Sequence, residues 1–349
     1  MIYYLLLFKF FFFSILSEKF KINKFLEVST FLILFLVIAF RYKTGGDWSS
    51  YEIINNYFYN ENFSIFDEVF SFDVNISFFN YIILLFERIL KLEINLFFFH
   101  SLFFCVFYFI FIKQFPDIFF SLIVSFPIII ILLSMGFLKQ GLALSTFAVF
   151  LSIANSGIRY FFFFLTPFFH PPSLVLLIIY FLSKFFFLNK LNFLKILSLL
   201  ALIFSLFITF RYQINLYIDN YLTNHKLYYS TGSIPRTLVN IFCSILYLFI
   251  YVNNKYLVPE KFRNFFLINA IFCVLLFPFI FFFHTALDRV SLYFSLIQIA
   301  GPSYFYLYFH NSKFYYLIKY FLIVLFIFIF LSWNLFSVNS VFWDYNFFF

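Results

Sequence analysis

The densest group of polar residues in an otherwise apolar chain lies at residues 41–51, which read Arg-Tyr-Lys-Thr-Gly-Gly-Asp-Trp-Ser-Ser-Tyr. Two of the 7 glycines are adjacent here, and glycine lets the backbone turn sharply and expose its amides. Arg41 and Lys43 precede this turn, so the segment can bind an anion such as a phosphate. The alternative is that both cations are interfacial anchors and that Asp47 caps a helix.

Two further polar groups interrupt apolar stretches. Lys139 and Gln140 lie at the start of an apolar helix and are candidates for a functional site. The alternative is that this lone lysine is an interfacial anchor. His170 precedes two prolines that break a helix, and broken helices are tolerated in a bilayer where they line a cavity. The alternative is a histidine that bonds a backbone carbonyl freed by the prolines.

A fourth group contains Arg289 and Tyr293, which are four residues apart and therefore share one face of a helix. The alternative is that Arg289 only forms a local ion pair with the adjacent Asp288.

The sequence lacks the motifs of soluble nucleotide and hydrolase chemistry: it has no Walker loop, dinucleotide fingerprint, HExxH or GxSxG. Cys105, Cys243 and Cys273 lie in apolar stretches without a second cysteine or histidine at metal-ligand spacing. They are predicted to be buried apolar residues, and neither a cofactor nor a metal site is predicted.

The elements that must position these groups are membrane helices. The chain has 349 residues, of which 64% are apolar and 11% charged, and its mean hydropathy is +0.99, which excludes a water-soluble domain. Its 71 phenylalanines reflect a biased composition. The chain has 23 basic and 15 acidic residues, and the basic residues are scattered between apolar segments. This distribution favours positive-inside loops over a nucleic-acid-binding face.

The predicted fold is an all-α integral membrane protein, with residues 1–349 forming a single polytopic domain of about ten to twelve transmembrane helices. Apolar segments lie at residues 1–16, 27–40, 76–90, 94–112, 118–135, 138–155, 160–182, 196–210, 237–252, 264–283, 290–309 and 319–332. The first has no basic region or cleavage site and should remain attached as a spanning helix.

Clusters of basic residues predict which loops are cytoplasmic. They are Lys19, Lys21 and Lys24; Lys184, Lys190 and Lys195; Lys255, Lys261 and Arg263; and Lys313 and Lys319. The acidic loop 41–75 and a second loop at 211–235 are predicted on the outer side, together with both termini.

The middle of the chain admits two topologies. In the first, each of the five segments between residues 76 and 182 spans the membrane. In the second, segment 76–90 lies in the outer interface and segment 160–182 is a re-entrant hairpin that breaks at His170. The second, which we prefer, places Lys113 and Arg159 on the inner side and brings Lys139 to the outer face.

In this order the four groups resemble the EpsG-like branch of the Wzy-type polymerases, which build O-antigen, capsule and exopolysaccharide in bacterial inner membranes. The matching positions are Arg41, Gly45 or Gly46, Asp47 and Tyr51; Lys139, Gln140, Leu142 and Ala143; Phe169, His170 and Ser173; and Arg289 and Tyr293. The resemblance covers about Phe40 to Ser303. It departs from the family pattern at Lys139, where arginine is common, and at the Pro171-Pro172 pair.

The resemblance implies a GT-C-like helical bundle and a glycosyltransferase. It would transfer a growing glycan from undecaprenyl diphosphate to a lipid-linked repeat unit on the outer side of the bacterial inner membrane, without a nucleotide sugar. His170 or Asp47 would be the base. The expected diphosphate- and substrate-binding residues are Arg41, Lys43, Tyr51, Lys139, Gln140, Arg211, Arg289 and Tyr293. The expected partners are the lipid-linked oligosaccharide, the bilayer and a chain-length regulator, but no nucleic acid.

Two other functions remain as alternatives. A flippase for lipid-linked oligosaccharides would use cations to guide a diphosphate, although such folds usually show related halves, which are not evident here. A membrane acyltransferase would use a buried histidine and would leave residues 41–51 without a role.

Overall fold

The computed structural model describes residues 2–19, 24–46, 48–49, 52, 96–187, 232–337 and 343–347, and positions 201, 208, 211, 215, 218 and 219. These residues are helical almost throughout, which confirms the all-α membrane-type fold. Segment 76–90 and most of segment 196–210, of loop 41–75 and of loop 211–235 lie outside the described residues.

The chain forms two compact units. Unit 1 comprises Met1–His170 with Ile323–Phe349, and unit 2 comprises Pro171–Leu322. The single domain of residues 1–349 and the number of crossings remain predictions.

Unit 1 consists mainly of apolar helices. Its elements are α1 (Ile2–Lys19), α2 (Lys24–Ala39), β1 (Arg41–Tyr42), α3 (Leu96–Ile112), α4 (Ile118–Ser125) with a π-helical continuation (Phe126–Gly136), α5 (Leu138–Ser152) and α6 (Ser156–Phe169). The two-residue strand β2 (Asn346–Phe347) pairs antiparallel with β1.

Helices α2 and α3 are antiparallel neighbours. Near one end the Lys113 ammonium lies 3.2 Å from the Glu27 carboxylate, and near the other the Phe40 and Phe98 ring centres are 6.1 Å apart. We call these the Glu27 end and the Arg41 end of unit 1.

Asp117 fixes the start of α4 at the Glu27 end. One carboxylate oxygen accepts hydrogen bonds from the amides of Phe119 and Phe120 at 2.9 and 3.0 Å, which caps the helix. The other oxygen accepts from the hydroxyls of Ser14 and Ser17 in α1 at 2.9 and 3.2 Å. The α4 and π-helical segment then returns to the Arg41 end.

Helices α5 and α6 pack against α3. The cluster of Phe107, Leu142, Ala143, Val149 and Phe169 joins the three helices. α6 has 14 residues, a length of about 21 Å, whereas a bilayer core is about 30 Å thick. The helix is therefore too short to cross a membrane alone.

Unit 2 contains α7 (Leu174–Phe185), α8 (Ser233–Asn254), α9 (Glu260–Leu276), α10 (His284–Tyr293), α11 (Ile297–Tyr308) and the first part of α12 (Tyr315–Phe336). Its centre is the α8–α11 contact, where a Cβ added to Gly301 would lie 2.2 Å from the carbonyl oxygen of Cys243. The Gln298 amide donates to Asn240 at 2.7 Å, and Asn240 donates to the Ser291 carbonyl at 2.8 Å. These bonds satisfy polar groups that apolar surroundings would otherwise penalise.

Four described helical stretches are long and apolar enough to span a membrane. They are Ile118–Gly136, Ser233–Leu257, Glu260–Phe281 and Tyr315–Phe336. One face of α12 exposes Leu317, Phe321, Val324 and Phe328, each more than 60% accessible. A row of large apolar side chains of this kind suits contact with lipid.

Candidate functional site

Arg41 is buried in an aromatic enclosure at the Arg41 end. Only 1% of the residue is exposed, and Nη1 donates to the Ile38 carbonyl. The guanidinium carbon lies 5.9 Å from the Trp48 ring centre and 5.4 Å from that of Phe97. These two rings are stacked with their centres 3.9 Å apart. The faces of aromatic rings attract a cation such as the guanidinium. Because a snorkelling anchor would place its charged group at the surface, the anchor alternative does not fit Arg41.

Lys43 differs from Arg41, since it is exposed and its ammonium lies 5.2 Å from the Tyr42 ring. The anchor alternative does fit this lysine.

The glycine pair forms the expected sharp turn. Gly45 has φ of +108° and Lys43 has φ of 50°, both in the left-handed region. The Trp48 amide donates to the Gly45 carbonyl at 3.2 Å. A Cβ at Gly45 would lie 2.2 Å from the Met135 carbonyl oxygen, so only glycine allows the turn to lie on the end of the π-helix.

This turn lies against the head of α5. Leu138 forms a buried cluster with Trp48 and Phe97, the two rings that enclose Arg41. Lys139 follows directly and is partly exposed, and Gln140 is 3% exposed. Two of the predicted groups, which are about 100 residues apart in sequence, therefore meet in unit 1.

His100 belongs to the same region and was missed by the sequence analysis. It is 2% exposed and lies one helical turn after Phe97 on α3. Phe97 lies against the Arg41 guanidinium and packs with Leu138, the residue before Lys139. His100 lies in an apolar run that contains no motif. It could have been found only by the general rule that an ionisable group at membrane depth marks a functional site.

His170 lies at the predicted helix break. It has an extended backbone, with φ −157° and ψ 105°, between α6 and the 3₁₀ turn Pro171–Ser173. The preceding Phe169 is in one apolar cluster with Leu142 and Ala143, one turn along α5 from Lys139. The break predicted from the proline pair is confirmed, whereas the re-entrant hairpin remains a prediction.

The remaining predicted site residues lie elsewhere. Arg289 is partly exposed and Tyr293 is fully buried, both on α10 of unit 2, and Arg211 is helical and exposed. Asp47 and Tyr51 lie outside the described residues.

Asp288, for which the sequence admitted a pair with Arg289, forms an ion pair with Arg236. Arg236 was also missed by the sequence analysis.

A cavity in unit 2 is too small to be a substrate site. Its volume is about 10 Å³, and Thr237, Asn240 and Ser291 line it with apolar neighbours. Pockets for organic ligands usually measure about 300–1,000 Å³. Within the described part of the chain, no three histidine, cysteine or carboxylate side chains come together as metal ligands would.

The three cysteines are buried as predicted.

Residues 24–347 match the model of the EpsG family, so the match includes the Arg41 turn, α5, His170 and α10. The chain belongs to the EpsG family. This membership confirms the resemblance and identifies a multi-pass membrane protein of the polysaccharide polymerase type, which acts on a lipid-linked saccharide. No curated protein and no solved structure matched the chain.

Proposed function

We propose that this EpsG-family protein is a glycosyltransferase that polymerises lipid-linked repeat units. A growing glycan is transferred from undecaprenyl diphosphate to the terminal sugar of a new lipid-linked unit, at the outer face of the bacterial cytoplasmic membrane. The observation that carries this proposal is the meeting of the Arg41 turn with the head of α5, because it brings two cation-bearing segments to one end of unit 1.

The reaction makes specific demands on such a site. An acceptor hydroxyl attacks the anomeric carbon of the donor glycan, and a new glycosidic C–O bond forms. The bond from that carbon to the diphosphate oxygen breaks, and its electron pair leaves with the diphosphate. Cations stabilise this developing charge most strongly where water is excluded. Arg41 and Lys139 supply such charges, with Lys43 at the exposed edge of the turn.

The hydroxyl proton must move to a base. His170 remains our candidate, because helices broken at membrane depth are tolerated where they line a cavity. The preceding Phe169 also packs with Leu142 and Ala143, which lie one turn along α5 from Lys139. Asp47 is the second candidate.

We retain five further residues as proposed substrate-binding residues: Gln140, Tyr51, Arg211, Arg289 and Tyr293. A chain-length regulator is a further expected partner.

The distribution of charge supports an outer site. The Glu27 end carries Lys24 and Lys113, which the positive-inside rule places in the cytoplasm. The opposite Arg41 end then faces outward. We retain the topology in which segment 76–90 does not span the membrane, because it brings His170 and Lys139 near the outer face.

Purified protein in lipid vesicles, supplied with a lipid-linked repeat unit, tests the proposal. We expect a ladder of glycans that lengthen by whole units, and cells without the gene should display glycan of one repeat unit. Movement of lipid-linked units across the bilayer without lengthening would support a flippase instead. Transfer of an acyl group would support an acyltransferase.

A further inference from the structure

Segment 343–347 lies beside the Arg41 turn, although nothing in its sequence indicated a role. Strand β2 pairs Phe347 with Arg41 and Asn346 with Tyr42, so its backbone lies alongside the strand that carries Arg41. The buried Thr44 hydroxyl also donates to the Asp344 carbonyl at 3.2 Å. The segment therefore holds both ends of the short stretch that carries Arg41 and Lys43.

Two aromatic side chains fix this segment to the helices. The Tyr345 hydroxyl donates to the Val37 carbonyl at 2.7 Å, close to the end of α2. The Trp343 indole is 5% exposed, and its ring centre lies 5.2 Å from that of Trp333 on α12.

Trp343 also contacts the turn between the π-helix and α5. A Cβ added to Gly136 would lie 2.4 Å from Cη2 of this indole. Gly136 is three residues before Lys139, and the neighbouring Met135 supports Gly45 of the Arg41 turn. The indole and the Arg41 turn thus both contact the short stretch 135–136.

We propose that segment 343–347 is a positioning element of the polymerase site, with Trp343 as its principal residue. It sets the separation between the Arg41 turn and the head of α5, and so the distance between the two cations that would hold the diphosphate. This inference rests on the proposed function. The physical basis of the inference is that a displacement of about 1 Å in the groups that position a substrate can lower the reaction rate about 100-fold.

The Gly136–Trp343 contact allows a test by compensation. Gly136→Ala introduces a methyl group where the outer ring of the indole lies, so the α5 head and the segment must move apart. A phenylalanine ring is shorter than an indole and relieves that collision. We expect turnover per folded protein to fall about 100-fold in Gly136→Ala and to recover at least tenfold in Gly136→Ala/Trp343→Phe.

Turnover is measured as repeat units added per minute by the monodisperse fraction, and KM for the lipid-linked unit is measured alongside. A positioning role lowers kcat per folded molecule, whereas a purely structural role lowers only the yield of folded protein. Unchanged kcat in folded Gly136→Ala, or the lack of any recovery in the double variant, would overturn the inference.

A cysteine pair provides a second test that does not depend on a collision. Tyr42 and Asn346 are paired across the antiparallel ladder, at a Cα separation of about 4.5–5.5 Å that a disulfide can bridge. The native cysteines are buried and should not interfere. We expect Tyr42→Cys/Asn346→Cys to cross-link on mild oxidation and to retain at least half of its reduced turnover.

Failure to cross-link, or loss of turnover that reduction restores, would show that the segment does not remain on the Arg41 turn during catalysis. The two proposals fail separately in these experiments. If the wild-type protein adds no repeat units, the proposed function is wrong. If the wild-type protein is active and the variants do not respond as described, only the positioning role is wrong.

Discussion

Arg236 and Asp288 form an ion pair through two parallel hydrogen bonds, from Nε to Oδ1 at 2.8 Å and from Nη2 to Oδ2 at 2.6 Å. The Asp288 side chain is 2% exposed and that of Arg236 is 15% exposed. The pair joins α8 to α10, the helix that carries Arg289 and Tyr293. It therefore fixes the position of the helix that carries two of the predicted substrate-binding residues.

Asp288→Ala should strongly destabilise the protein, because it leaves the Arg236 charge in a largely buried position. Breaking a buried pair from one side typically costs about 3–5 kcal/mol. The measurement is the midpoint of thermal unfolding in detergent. As a control, Arg236→Met/Asp288→Leu removes both charges and should regain most of the loss. Equal midpoints for wild type and Asp288→Ala would contradict this role.

Arg41→Lys should impair polymerisation although the charge is retained. A planar guanidinium meets phosphate through two parallel bonds and stacks on aromatic rings, and an ammonium does neither in the same way. The expected loss is about 2.7–4 kcal/mol of transition-state stabilisation, or about 100- to 1,000-fold in kcat. Arg159→Lys is the matched control, since Arg159 lies 4.7 Å from the Phe150 ring but on the part of α6 remote from His170. Similar losses in both variants would indicate a general effect of replacing a stacked arginine.

Gly301→Ala should destabilise unit 2, because its methyl group would lie 2.2 Å from the Cys243 carbonyl oxygen and force α8 and α11 apart. Overpacking of this kind costs about 1–3 kcal/mol. Gly157→Ala is the control, because the nearest atom to its Cβ would be Oδ1 of Asn155 at 3.6 Å, an ordinary contact. Thermal unfolding of the two variants distinguishes them, and equal stability would show that the close helix approach is not required.

The positions of the helices could be predicted because long apolar runs are local signals. Segment 27–40 anticipated α2 at Lys24–Ala39, and segment 237–252 anticipated α8 at Ser233–Asn254. The break at His170 was likewise predictable, because two adjacent prolines remove two backbone donors and their rings clash with the preceding turn.

The contacts that build the site could not be predicted in this way. Arg236 and Asp288 are 52 residues apart, and the Trp343 indole lies on a glycine that is distant in sequence. Such pairs are set by packing between helices, for which a single sequence contains no periodic signal. His100 was missed for a related reason, since only its position one turn from Phe97, the ring that lies against Arg41, distinguishes it from the apolar residues around it.

Cysteine labelling can test the orientation of the protein in the membrane. Gly46 has no atom within 4 Å of an added Cβ, and Gln114 is exposed beside Lys113 near the Glu27 end. In intact cells an impermeant thiol reagent should label Gly46→Cys but not Gln114→Cys, and it should label both after the membrane is opened. Labelling in the reverse order would invert the proposed topology. The loops around Asn62 and Asn189, which should behave as outer and inner respectively, lie outside the described residues.

The identity of the base can be tested by comparing three histidines. If His170 accepts the acceptor proton, His170→Gln should bind the lipid-linked unit with unchanged affinity while kcat falls about 100- to 10,000-fold, the usual contribution of a general base. His310→Gln is the control, because His310 is exposed and lies 3.2 Å from Asn311 in a turn of unit 2, and its activity should not change. His100→Gln separates the two histidines of unit 1, since His100 lies one turn along α3 from Phe97, the ring against Arg41, and so on the diphosphate side of the proposed site. For this variant we expect a smaller loss of kcat than for His170→Gln.

Binding of the lipid-linked unit and glycan chain length are measured separately for each purified variant. Wild-type chain lengths from both His170→Gln and His170→Ala would remove this residue from the mechanism. A full loss in His100→Gln would then transfer the role of base to His100, whereas normal activity there would leave Asp47.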